Sequence, residues 1–174
     1  MRHPLSFIPR HLRKSLFYFF FAMTIAIFGV FSLLDQPLRT EAAPHGIVSF
    51  ELAGQVKFAQ TIINSWDENA RLFTAFGLGL DYLFMPMYAM SLSFGLLLAI
   101  GPQKNRYNVF AVWMGWGALV TPFFDALENY MLWRELIGPV VSPYPQIAAI
   151  CATIKFMLLV AGLVTALSGR LFLK

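Results

Sequence analysis

Four apolar runs constrain this chain more than any motif in it. Residues 16–34, LFYFFFAMTIAIFGVFSLL, contain no charged side chain. Residues 72–100 carry no charge apart from Asp81. Residues 109–133 run from VFAVWMGWGALV through TPFFDALENYMLW, and residues 147–169 are interrupted once, by Lys155. A helix needs about 20 mostly apolar residues to cross a bilayer. In hydrocarbon every backbone polar group must be satisfied internally, so runs of this length take the helical form. The expected fold is an all-α integral membrane protein. It is a single domain over residues 1–174, built as a four-transmembrane helical bundle.

Composition agrees. Apolar residues make up 58% of the chain and charged residues only 13%. Soluble domains average about 25% charged residues, so there are too few charges here to cover a soluble surface. The net charge of +4 does not point to nucleic acid. The basic residues sit between the apolar runs, as in membrane proteins, and form no aromatic-interleaved patch.

Those basic residues set the expected topology. With four spans, the N-terminus, the 101–108 loop and the C-terminus share one side. That side carries Arg2, Arg10, Arg13, Lys14, Lys104, Arg106, Arg170 and Lys174 and no acid. The other side mixes Arg39, Lys57, Arg71 and Arg134 with Asp35, Glu41, Glu51, Asp67, Glu68 and Glu135. The positive-inside rule therefore places both termini in the cytoplasm, and the expected location is a bacterial-type inner (plasma) membrane. The first run is longer than a signal peptide's core of about 7–15 residues, and TEAAPHG offers no clean cleavage site, so a retained span is expected. GPQKN at 101–105 should end the second helix, and the proline-rich IGPVVSPYPQ at 137–146 the third.

Between the first two spans, Val48, Leu52, Val56, Ala59, Ile63 and Trp66 recur at helical spacing. The pattern predicts one amphipathic helix over about 47–66, lying on the external membrane surface. Trp66, Tyr130 and Trp133 read as an external aromatic belt, with Tyr18 and Tyr107 as an internal one. Trp113 and Trp116 are expected to pack between helices. Cys151, the single cysteine, reads as a buried packing residue and excludes an intrachain disulfide.

The candidate site comes from charges where charge is costly. Asp81, Asp125, Glu128 and Lys155 fall inside predicted spans, where each costs about 2.5–3.5 kcal/mol on the lenient scale. Such residues face the interior and partner one another. At 1.5 Å per residue, Asp81 lies roughly 14 Å from the external end of its helix, Asp125 roughly 12 Å and Lys155 roughly 12 Å, with Thr24 near the same level. Asp125, Glu128 and Asn129 sit at i, i+3 and i+4 and share one helix face. Tyr88 follows Asp81 at i+7. The candidate ligand or proton site is therefore Asp81, Tyr88, Asp125, Glu128, Asn129 and Lys155. Pro86 and Pro122 nearby each free a carbonyl that needs a polar partner.

Several chemistries find no support. His3, His11 and His45 lie outside the predicted spans, so a bis-histidine haem within the bilayer is not expected. DALEN lacks the histidine of a di-iron motif, and no metal site is expected. No phosphate loop, nucleophile elbow or zinc-hydrolase motif occurs. Catalytic residues and cofactor stay unassigned, and whether the protein is an enzyme stays open.

Four spans with intramembrane acids, together with DYLFMPMY at 81–88, resemble the emopamil-binding and sigma-2-receptor-like membrane proteins. The resemblance implies an intramembrane cavity for a sterol-like or amine ligand, and no residue role is carried over from it. Three readings follow from the residues. The first is a membrane protein binding a lipid-like or small amphiphilic ligand. The second is a proton- or cation-coupled transporter acting as a homo-oligomer. The third is a structural or assembly subunit of a larger membrane complex.

Overall fold

A computed structural model describes residues 2–101 and 105–172, with side chains through Gly169. Pro102, Gln103, Lys104 and Lys174, assigned above to a helix end and to the basic side, lie outside the described residues, as does the side chain of Arg170. The protein is helical, with no strand among the described residues. Among the described residues six α-helices follow in order: α1 (Arg10–Leu34), α2 (Ile47–Glu51), α3 (Val56–Ser65), α4 (Glu68–Ala99), α5 (Arg106–Ile137) and α6 (Tyr144–Phe172). α1, α4, α5 and α6 are each long and apolar enough to cross a membrane.

These four helices outrun the expected spans at their polar ends. The extensions are capped. Asp67 Oδ1 accepts the Ala70 amide at 2.8 Å before α4, and Asn105 Oδ1 accepts the Asn108 amide at 2.8 Å before α5. Each cap satisfies a backbone donor that a helix start leaves orphaned. Glu68 in the first turn of α4 adds a favourable charge against the helix dipole. Pro86 and Pro122 lie within continuous helices.

The chain forms two compact units, and each long helix contributes a stretch to both. The first unit comprises Met1–Ala26, Met85–Pro122 and Lys155–Lys174. Leu5, Phe94 and Leu97 form its buried cluster, packed by Leu16, Phe17, Phe20, Met90 and Leu119. Phe20 and Phe94 stack with centroids 6.0 Å apart. Tyr107 donates to the Thr165 carbonyl at 2.8 Å, and Ser93 to the Gly115 carbonyl at 3.2 Å. The Asn108 side chain holds both the amide and the carbonyl of Gly101, at 3.2 and 2.9 Å.

The second unit comprises Ile27–Phe84 and Phe123–Ile154. Its core joins Leu38, Phe50, Ile62, Ile63 and Trp66 to Leu78, Leu132 and Val140. Here the expected 47–66 helix is two helices. Gly54 takes a φ of 66° and breaks the chain between α2 and α3. That left-handed conformation is open to glycine and strained for other residues. The break also rotates the apolar face. Val48 and Leu52 are exposed, while Phe50 and Glu51 are buried. Trp66 is a core residue, not a belt residue. It meets Phe50 edge-on at 5.3 Å and donates through Nε1 to the Leu38 carbonyl at 2.8 Å. Asp35 fixes the start of α2, with Oδ1 accepting the Ile47 amide at 2.8 Å and Oδ2 accepting Arg39 Nε at 2.9 Å.

The aromatic residues divide. Tyr130, Trp133 and Tyr18 are exposed. Trp113 and Trp116 do not pack between helices as expected, because both are exposed on α5. Cys151 is buried.

Candidate functional site

In the second unit, α4 and α5 meet through polar groups. Asp81 lies on α4 and is half-buried, whereas Asn129 lies on α5 and is buried. Asn129 Nδ2 donates to Asp81 Oδ2 at 2.8 Å and reaches the Leu78 carbonyl at 3.4 Å. A hydrogen bond contributes about 0.5–1.5 kcal/mol, and about 1.5–3 kcal/mol where one partner is charged. One turn away, the Tyr82 hydroxyl donates to the Ala126 carbonyl at 3.3 Å. These bonds fix the register of the two helices at this level.

The α5 face continues the polar stripe. Asp125, Glu128 and Asn129 are all buried, as their i, i+3, i+4 spacing requires for one inward face. Leu132 and Glu135 extend that face, and both are buried. The remaining candidates belong to the first unit. Tyr88 is buried on α4. Lys155 is buried on α6, with Nζ 4.9 Å from the centroid of the Phe156 ring. Thr24, placed near the same depth by helix rise, returns its hydroxyl to the Phe20 carbonyl at 2.7 Å within its own helix. The structure thus brings Asp81 and Asn129 into direct contact, with Asp125 and Glu128 on the same buried face of α5.

Beside this pair lies a groove of about 200 Å³, lined by Ala75, Leu78, Gly79, Tyr82, Asn129, Tyr130 and Trp133. Asn129 is its buried polar element. The exposed rings of Tyr82, Tyr130 and Trp133 form its outer walls. The volume is below the roughly 300–1,000 Å³ of sites that engulf a whole small molecule. It suits one group or a short chain segment held against a helix face. Gly79 leaves open space on this side, since a Cβ there would meet nothing within 4 Å.

Two buried acids stood outside the sequence-based site. By sequence, Glu51 and Glu135 fall only among the charges of the external side, and both are buried in the second unit. Glu135 is 1% exposed, and neither carboxylate oxygen has a hydrogen-bond partner among the described residues. Its spacing of seven residues from Glu128 was a signal available in the sequence, since i and i+7 share a helix face. Among the described residues no three His, Cys, Asp or Glu side chains converge as metal ligands would.

Comparison of the chain with known protein families, with curated proteins and with solved structures finds no match. The site therefore stands on its geometry alone.

Proposed function

We propose that this is a membrane protein that binds a lipid-like or small amphiphilic molecule against the α4–α5 groove. The observation that carries the reading is a buried Asn129–Asp81 pair beside a groove with exposed aromatic walls. Aromatic and aliphatic walls take an apolar chain, while the amide and carboxylate offer hydrogen bonds to its polar group. In a bilayer such a groove takes its ligand sideways from the lipid rather than from water.

The four helices cross the membrane, with both termini cytoplasmic and residues 35–67 external. Charge distribution supports this orientation. All nine Asp and Glu residues fall in the second unit, and nine of the thirteen Lys and Arg residues fall in the first. The external segment, α2 and α3 included, carries a mixture of both signs, as non-cytoplasmic connections do.

The test is retention of endogenous amphiphiles. The full chain is extracted in mild detergent and its co-purifying lipids are quantified by mass spectrometry. Wild type retains a bound species that Gly79→Leu and Asn129→Leu lose. Gly79 lines the groove and a Cβ there would meet nothing within 4 Å, so Gly79→Leu adds bulk at the groove with no collision at its Cβ, and a folded variant separates ligand loss from unfolding. An unchanged lipid profile in a folded Gly79→Leu protein overturns the reading.

A further inference from the structure

Residues 2–9 precede α1 and fold back onto the first unit. Leu5 enters the buried cluster with Phe94 and Leu97. Trp116 Nε1 donates to the Arg2 carbonyl at 3.3 Å. Arg13 on α1 holds the segment from below, donating to the Ile8 carbonyl at 2.9 Å and to the Ser6 carbonyl at 2.8 Å. The centre of the attachment is His3, only 4% exposed.

The His3 ring occupies a place that a side chain on α5 would otherwise fill. A Cβ on Gly115 would overlap His3 Nε2 and Cδ2. Nδ1 accepts the Leu5 amide at 3.2 Å, so the seated ring is neutral with its proton on Nε2. Nε2 itself is buried with no hydrogen-bond partner. Adding a second proton would place it on Nδ1, facing the Leu5 N–H donor.

Among the described residues of this unit no acidic side chain is present to compensate that charge. The first unit contains no Asp or Glu anywhere in its sequence. Among the described titratable side chains of this unit, the segment itself contributes Arg2 beside His3, and α1 contributes Arg10, His11, Arg13, Lys14 and Tyr18. α4 contributes Tyr88, α5 contributes Arg106 and Tyr107, and α6 contributes Lys155. None of them is a carboxylate, and the Arg and Lys side chains among them are cationic.

We propose that residues 2–9 are an acid-releasable latch, seated on the first unit by the neutral His3 ring in the space left open at Gly115. Release uncovers the α4 and α5 surface at Phe94, Leu97 and Gly115. The pH window follows from the seated and free rings. Burial first, and then the nearby Arg13, hold the seated imidazole down to about 4, against 6.5 when free. Seating is therefore fully favoured above pH 6.5, weakens as pH falls from 6.5 toward 4, and levels off below 4. Across that interval the seating equilibrium constant drops about 300-fold.

A spin label at Phe7→Cys, an exposed position of the segment, reports seating in the full chain held in lipid nanodiscs with Cys151→Ala. The expected spectrum is immobile at pH 7.5 and becomes mobile reversibly between pH 6.5 and 4. In His3→Gln, which cannot take up the proton, the pH response disappears. In Gly115→Ala, which closes the socket, the label is mobile at every pH. A pH-independent wild-type spectrum, an undiminished response in His3→Gln, or an immobile label in Gly115→Ala each overturns the latch.

Discussion

Asn129 and Asp81, 48 residues apart in sequence, share a 2.8 Å hydrogen bond that joins α5 to α4 in the second unit. Neither residue alone explains why a helix of apolar grade carries it. Replacing Asn129 with Leu removes that donor from a half-buried carboxylate, at a cost of about 1–3 kcal/mol. Asp81→Asn keeps an acceptor oxygen in place and costs less. Thermal unfolding of the two variants in the same detergent checks the order, and a more damaging Asp81→Asn would contradict it.

Glu135 is a liability to folding as it stands. Neither oxygen is hydrogen-bonded among the described residues, and its neighbour one turn back, Leu132, is fully buried. Glu135→Leu replaces an uncompensated buried polar group with an apolar one of similar volume. The variant should unfold at a higher temperature, by a stabilisation of about 1–3 kcal/mol. A lower unfolding temperature would mean that the carboxyl serves an interaction made in the membrane.

Gly46 begins α2 at a φ of 57°, and a Cβ there would overlap the Asp35 carboxylate. Gly46→Ala meets both the backbone strain and the collision, so it should cost more than the roughly 1–2 kcal/mol of a left-handed residue alone. Asp35→Ala loses the bonds to Ile47 and Arg39 but adds no clash, and should cost less. Hydrogen exchange at the Ile47 amide reports both, with faster exchange in each variant.

Trp66→Phe keeps most of the ring packing against Phe50 and deletes the bond to the Leu38 carbonyl. That leaves a buried acceptor short of a donor and should cost about 1–3 kcal/mol. If Trp66 lay at a lipid interface instead, Phe would be tolerated almost without cost. Chemical denaturation in detergent separates the two outcomes.

The four long helices were legible because hydropathy over about 20 residues is a property of the run and needs no partner. Their ends were less legible. Arg10, Glu68, Arg134 and Tyr144 continue or open helices that an apolar window trims. The Asp67 and Asn105 caps, which mark true starts, are local signals of the kind a sequence displays. The inward face of Asp125, Glu128 and Asn129 followed from helical spacing. The burial of Glu51, Glu135 and Trp66 did not, because Glu51 and Trp66 lie in a segment whose core packing is tertiary, and a charge or a tryptophan near a span end looks the same whether covered or not. Gly54 was visible as a glycine, but a glycine in a periodic stretch can be tolerated within a helix, and only its φ decides the break. The socket for His3 required knowing which residue lies opposite Gly115.

Only 6% of the most apolar stretch of α1 is buried within the protein, and Tyr18, Phe19, Phe21, Ile25, Phe28 and Leu33 all stand outward. For a biochemist this fixes the handling of the molecule. In plain buffer that belt of rings would drive chains together into precipitate, so extraction needs a detergent whose apolar core spans the helix. A variant with polar substitutions along α1 would be the first route toward a water-soluble form.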